Sequence, residues 1–514
     1  MRLSKNQVII LLLILIGLIY RLILSSNNNF IFNMDNARDM VDVREMVVLQ
    51  KPRLIGQTTS IEGLFYGPGW YYLLSIPFIL SGGHPYAAIL LEIFLWAVGG
   101  YFLLYLVNKF YGRMAMVGVA ALWIASNYIL LGSQYALNPN PILFLTPVFI
   151  FALWKYLETG KIWANLLAWF LAGIFFHFEV AVGVFMPVIL LLTVILAKRW
   201  DLFKKKSFYL GVLVFLATFI PQILFNLKHG SSLVKAILDY KSTSHGDIKT
   251  ASLPRIIEVY NGFYNSLLPT FMNFEFFTKL MTFLFPVTLL IYLKKFKKDN
   301  FTLITLLLLF VPLVGVVFLK LGLASWYLNE VLVVSIILVG FVFFVLQKIS
   351  SLGKIISVIL VSVLLIFAIK NMADYLKAFQ VGDNGNSVLR NELAVVDYTY
   401  QKANGKNFKV YVYMPSVIDY PYQYLYWWRG LKKYGFVPKD YAYLPNKPTY
   451  ISQKEKLNTG SNPPDSGLVF LIKEPDQIGQ RHLWENSFKN LPLISTENIG
   501  VIIVETRQDL IQLQ

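Results

Sequence analysis

Long unbroken runs of apolar residues alternate along this chain with short polar connections. "QVIILLLILIGLIY", "FTLITLLLLFVPLVGVVFL" and "KIISVILVSVLLIFAI" approach or reach the ~20 apolar residues that a bilayer core requires. Hydropathy and loop charge together predict about eleven membrane-spanning helices. They are placed near residues 7–24, 86–107, 114–131, 141–157, 162–178, 180–197, 208–226, 276–293, 301–320, 328–347 and 354–371. One apolar stretch, "GLFYGPGWYYLLSIPFILSGG", is broken by Gly67, Pro68, Gly69 and Pro77 and is expected to lie in or re-enter the membrane. After residue 371 the pattern changes. "FKVYVYM", "GLVFLIK" and "GVIIVET" read as strands, alternating with helical stretches at 387–403, 418–433 and 478–489, which predicts a small α/β domain.

Composition agrees with a polytopic membrane protein: 56% hydrophobic, 16% aromatic and only 15% charged, where a soluble domain is nearer a quarter charged. The net charge of +17 sits in short connections such as "NKFYGR", "KRWDLFKKK" and "KKFKKDN", whereas "GSQYALNPNP" and "LASWYLNE" contain no Lys or Arg. That alternation is a positive-inside signal rather than a nucleic-acid footprint, and contact with membrane lipid headgroups is secondary. It places the N-terminus inside and the tail outside. The first apolar run carries Arg21 and lacks an A-x-A-like exit site, so it reads as a retained anchor. With no Cys, disulfides and thiolate chemistry are excluded. The expected organisation is a membrane module over 1–371, with external loops at about 25–84 and 228–275, followed by an extracytoplasmic domain over 372–514.

Most of the acids near the first anchor fall in "NMDNARDMVDVREMVV". Asn33 is a plausible N-cap and Asp35 an acid in the first turn. Asp35, Arg38, Asp39 and Asp42 follow i, i+3, i+4, i+7 spacing on one face. The reading is an interfacial helix with its acids toward water or an external cavity. A solvated face with local Arg–Asp pairs is the plain alternative. His177 and Glu179 in "FFHFEVA" form a second ionisable pair at the outer end of a span, where such groups mark either a functional path or a satisfied helix end.

The order of these elements resembles the first external loop of the C-type (GT-C) superfamily of glycosyltransferases. The nearest groups are the protein O-mannosyltransferases and the bacterial aminoarabinose transferases acting on lipid A. "DNARDMVDVREMV" looks like the family's acidic helix, and "LFYGPGWYY" like the element after it. Asn138, Pro139 and Asn140 in "YALNPNPILF", with His177, are similar to positions in a bacterial and archaeal subgroup. The lipid A group usually reads Phe-Glu-Lys-Pro where this chain has Phe65, Tyr66, Gly67 and Pro68, so its phosphate-binding Lys is absent here.

The resemblance implies transfer of a sugar from a polyprenyl-phosphate carrier to a protein, lipid or glycan acceptor outside a bacterial or archaeal cytoplasmic membrane. Asp35 is the implied base, with Asp39 and Glu62 as weaker candidates. Arg38, Arg44, Arg53 and His177 are candidates for the carrier phosphate. Tyr66, Trp70, Asn138, Asn140 and Glu179 are candidates for contact with the rest of the substrates. No cofactor is called for; a divalent ion held by His177 and Glu179 is the one alternative left open. The competing class is a transporter or flippase of a lipid-linked or polar solute, which should show charged or broken helices at mid-membrane and related halves.

Overall fold

The computed structural model describes residues 4–509 apart from 60, 243–251, 270–273, 319–322, 382–384, 386, 415, 417, 446–450 and 452. Of the "STSHGD" stretch in the second expected external loop, all but its first residue, Ser242, lies outside the described residues. The chain divides into two compact units. One comprises Met1–Leu22, Arg53–Leu73 and Leu91–Tyr375; the other comprises Ile23–Pro52, Leu74–Leu90 and Leu376–Gln514.

The first unit is helical. Among the described residues, seven helices of the chain are long and apolar enough to cross a membrane, or nine if two bent pairs each count as one span. The bent pairs, Arg113–Ala125 with Asn127–Gln134 (51°) and Lys206–Thr218 with Ile220–Lys228 (46°), occupy two stretches expected as simple spans. Ser126 and Phe219 sit at the breaks, and Pro221 follows the second, where it removes a backbone donor. Two further expected spans are the shorter apolar helices Ile162–Phe178 and Val180–Leu196. Gly69–Ser81 is also short, and it runs on through Pro77, which was expected to break it. The charge inside the first anchor is absorbed by packing: Arg21 donates to Ser133 Oγ at 2.9 Å and lies 3.8 Å over the Trp96 ring.

The second unit is built on a five-stranded sheet of β1 (Asn407–Tyr413), β2 (Asp440–Ala442), β3 (Asp465–Lys473), β4 (Leu493–Ile499) and β5 (Ile502–Gln508), in the order β2-β1-β3-β5-β4. β2, β1 and β3 run parallel, and β5 is antiparallel to both β3 and β4. β1 is buried along both faces, with Asn407 and Lys409 the polar residues of one of them. Tyr411 and Tyr413 pack with Trp484 and Phe488, while Phe408 meets Tyr400 and Tyr426 on the other side. The three expected strands are β1, β3 and β5. β2 is only three residues long, and β4 ("LISTENI") is largely exposed, so neither carries a clear apolar signal.

The helix expected at the membrane interface packs within this unit against a helix of the tail. Tyr420–Arg429 buries eight of its ten residues, including Trp427 and Trp428. It packs against the acidic helix Met34–Val48. Ala37, Met40, Val41 and Val43 of that acidic helix are buried, and so are Asp39, Arg44 and Glu45. Its apolar face therefore has a protein partner. Aromatic side chains of the tail cover that apolar face of the helix expected at the membrane interface.

Candidate active site

The acidic helix starts as its sequence requires. Asn33 caps it by accepting the Asp35 N–H at 3.1 Å. Just upstream the chain is clasped to the tail: Phe32 N donates to Ser387 O at 2.7 Å and Leu389 N to Phe30 O at 3.0 Å. Phe32 also meets the edge of the Tyr424 ring at 5.9 Å. The tail thus sets the height and angle at which the first turn begins.

On that turn Arg38 bridges two carboxylates. Its Nη1 donates to Asp35 Oδ1 at 3.2 Å, while Nε and Nη2 both donate to Asp39 Oδ1 at 3.1 Å. The Asp35 side chain is 44% exposed and that of Asp39 is 0% exposed. That difference separates their roles. Asp39 anchors the guanidinium from below, whereas Asp35 keeps a carboxylate available to a reactant. Arg44, six residues further on, is buried with its guanidinium 5.0 Å over the Trp427 ring. The Trp427 ring covers the flat face of this guanidinium, which was expected at the carrier phosphate, and Nε and Nη2 have no hydrogen-bond partner among the described residues.

The other unit gathers "FFHFEVA" and "LFYGPGW", which are far apart in sequence. Tyr66 donates to Glu179 Oε2 at 3.1 Å, and the Ala181 N–H donates to Oε1 at 3.2 Å, so Glu179 caps the turn after the break. The Gly69 N–H donates to His177 Nδ1 at 3.1 Å. In a neutral imidazole this places the ring proton on Nε2. Nε2 neighbours the Thr218 carbonyl without closing a hydrogen bond of ordinary geometry. The approach depends on glycine: a β-carbon on Gly67 would stand 2.2 Å from His177 Nδ1, and one on Gly69 would stand 2.9 Å from His177 Cβ. Trp70 is buried beside this loop, Glu62 is exposed on it, and Arg53 holds it through its carbonyl, which accepts from Tyr72 Oη at 2.9 Å.

Asn138 and Asn140 do not present free amides. Asn138 Nδ2 donates to Phe178 O at 2.7 Å, and Asn140 Nδ2 to Gly132 O and Tyr135 O. Asn140 closes the Pro-containing turn, whereas Asn138 ties that turn to the end of the helix Ile162–Phe178; substrate contact was the expectation for both. Sequence reasoning passed over Glu330, in the unassigned stretch "ASWYLNE". It is wholly buried, neither oxygen has a hydrogen-bond partner among the described residues, and it lies within electrostatic reach of Glu179. Its neighbour Asn329 donates to Pro139 O at 2.8 Å and accepts from Tyr128 Oη at 2.9 Å. A lone acid opening an otherwise apolar helix was the available signal. Among the described residues no three imidazole or carboxylate groups gather as a metal ion would require.

No family model matches the sequence and no curated relative does. Its fold, however, is that of solved proteins. The structure of ArnT from Cupriavidus metallidurans bound to undecaprenyl phosphate superposes with a TM-score of 0.61 at 10% identity, over 98% of both chains. The apo state of the same protein gives 0.60 at 11% identity, again over 98% of both. The chain therefore has a GT-C-type fold throughout, in an integral membrane protein with a C-terminal α/β domain.

Proposed function

We propose that the protein is a membrane glycosyltransferase that moves a sugar from a polyprenyl-phosphate donor to an acceptor outside the cytoplasm. The observation that carries this reading is the Asp35–Arg38–Asp39 arrangement on the helix Met34–Val48 of a chain whose fold matches ArnT over 98% of its length. Undecaprenyl phosphate bound to ArnT supports the same class of carrier for this chain.

In the proposed reaction the acceptor hydroxyl oxygen bonds to the anomeric carbon as the bond from that carbon to the carrier phosphate breaks. Polyprenyl phosphate leaves as an anion, which removes the need for a general acid. The hydroxyl proton passes to Asp35, the one carboxylate of the arrangement with substantial exposure. Arg38 is a positioning residue, fixing the Asp35 carboxylate with Asp39 as its counterweight. Positive charge developing on the sugar ring is stabilised by the same carboxylate. For the phosphate, Arg53 and the His177 Nε2–H remain the proposed donors, and Tyr66, Glu179 and Glu330 the proposed polar contacts for sugar or acceptor.

The test is transfer from a labelled polyprenyl-phosphate monosaccharide by purified protein. Asp35→Asn should lower turnover by about 10²–10⁴-fold, the usual worth of a general base. Unchanged turnover would remove Asp35 from that role, and solute uptake into proteoliposomes without transfer would remove the enzyme reading.

A further inference from the structure

Away from these residues, Met186–Leu196, Glu275–Lys295 and Asn300–Phe318 end or begin around a cavity of about 410 Å³. Its walls are of two kinds. Lys198 and Lys298 supply positive charge, and Leu196, Leu293, Leu303 and Leu306 supply an apolar ledge.

The acids nearby are already engaged. Asp299 lines the cavity, but its carboxylate accepts from Tyr292 Oη at 2.7 Å and from the N–H and hydroxyl of Thr302, each at 2.8 Å. Asp201 is held by Arg199 at 2.9 Å and lies 3.8 Å from Lys205. Neither Lys198 nor Lys298 has an ion-pair partner among the described residues. The cavity therefore sets two cations against one carboxylate, that of Asp299, beside exposed hydrocarbon.

The backbone at Lys198 is a separate observation. Its φ is 57°, in the left-handed region. It closes the preceding helix, with Lys198 N donating to Ile195 O and Arg199 N to Val194 O, both at 3.0 Å. Glycine is the usual occupant of such a closing position, because a β-carbon is strained there. This chain keeps a lysine in that place, on the cavity wall.

We infer that this cavity binds the phosphate of an anionic membrane lipid, with the lysines on the headgroup and the leucine ledge against the first carbons of its chains. Basic pockets between spanning helices recognise anionic headgroups in this way. A free phosphate ion would use the lysines and leave the ledge idle, so the two-sided wall favours the lipid. The inference is independent of the transferase reading.

Native mass spectrometry of the full-length protein, equilibrated with equal amounts of dioleoylphosphatidylglycerol and dioleoylphosphatidylcholine, tests it. The wild type should retain the anionic lipid in preference. Lys198→Gln with Lys298→Gln should weaken retention by about 25-fold, or roughly fivefold for each cation near a charged headgroup. The charge-matched pair Lys204→Gln with Lys294→Gln, outside the cavity, should keep it within about twofold. Equal losses in the two pairs would mean diffuse surface charge and overturn the site. Displacement of the lipid by millimolar inorganic phosphate would overturn the lipid assignment, and its persistence supports it. Lys198→Gly relieves the backbone, so it should hold or raise the Tm while weakening lipid retention; undiminished retention would overturn the part given to Lys198.

Discussion

At Gly67 a single methyl group would meet the imidazole of His177, 2.2 Å from Nδ1. Neither the loop nor the ring can yield without losing the Gly69–His177 hydrogen bond. Gly67→Ala should therefore lower stability by about 1–3 kcal/mol, the range for overpacking a close contact, seen as a lower Tm of the purified protein. Gly67→Ala with His177→Ala should recover part of that loss, because the second change removes the obstacle. The same scale separates Arg38 from Arg44. Both lie on one helix and are equivalent in composition, yet one bridges two carboxylates and the other lies over Trp427. What divides them is the direction each faces from the helix, and only a packed partner gives that direction meaning.

Among the elements, the helix Leu389–Lys402 carries an unusual burial. Glu392 is 0% exposed, neither oxygen has a hydrogen-bond partner among the described residues, and it faces the Glu474 carboxylate just past the end of β3. Glu474 accepts from Tyr422 Oη at 2.7 Å and from the backbone N–H of Ser387, the residue that also holds Phe32. The groups facing the pair are these two carboxyls and the Tyr422 phenol. Burial first, and then mutual repulsion, raises Glu392 well above the ordinary carboxylate value, while burial pushes Glu474 up to about 7.

In the unfolded chain both ionise near 4.5, so the stability they contribute is fully present below that pH. It is lost as pH rises through about 7. The protection factors of the amides of residues 387–402, which are free of the base-catalysed rise in intrinsic exchange, should accordingly fall between pH 4.5 and about 7. Glu392→Gln should flatten that dependence and slow exchange at the alkaline end by a local stabilisation of more than about 1 kcal/mol. Unaltered pH dependence in the variant would refute the coupling. Because the same segment clasps the start of the acidic helix, the effect should extend to the amides of Phe30 and Phe32.

Over the whole molecule, charge and hydropathy organise what individual motifs do not. The GT-C-type fold persists over 98% of the chain at 10% identity to ArnT. The lengths of apolar segments and the breaks between them evidently constrain it more than particular side chains do. The basic loops predict the orientation in the membrane. Since the chain has no Cys, single replacements report cleanly. With Glu497→Cys, an impermeant maleimide should label intact cells. With Lys204→Cys, it should react only after permeabilisation. Both residues are exposed, so accessibility depends on the side of the membrane alone. The reverse pattern would invert the topology and exclude an extracytoplasmic site at Asp35.

The sequence by itself determined the membrane class, the broken character of the segment after Leu64, the capped acidic helix and three strands of the tail. Each of these follows from local periodicity, from a residue type with one backbone preference, or from the cost of placing charge in hydrocarbon. Tertiary structure alone decided what covers the acidic helix, and so which of its charges remain available. It also decided that Asn138 ties its turn to Phe178, that Glu330 is buried with no hydrogen-bond partner among the described residues, and that "LFYGPGW" meets "FFHFEVA". Those outcomes depend on pairs of residues distant in the chain. Hydropathy records how much surface a segment must bury, but not against which partner.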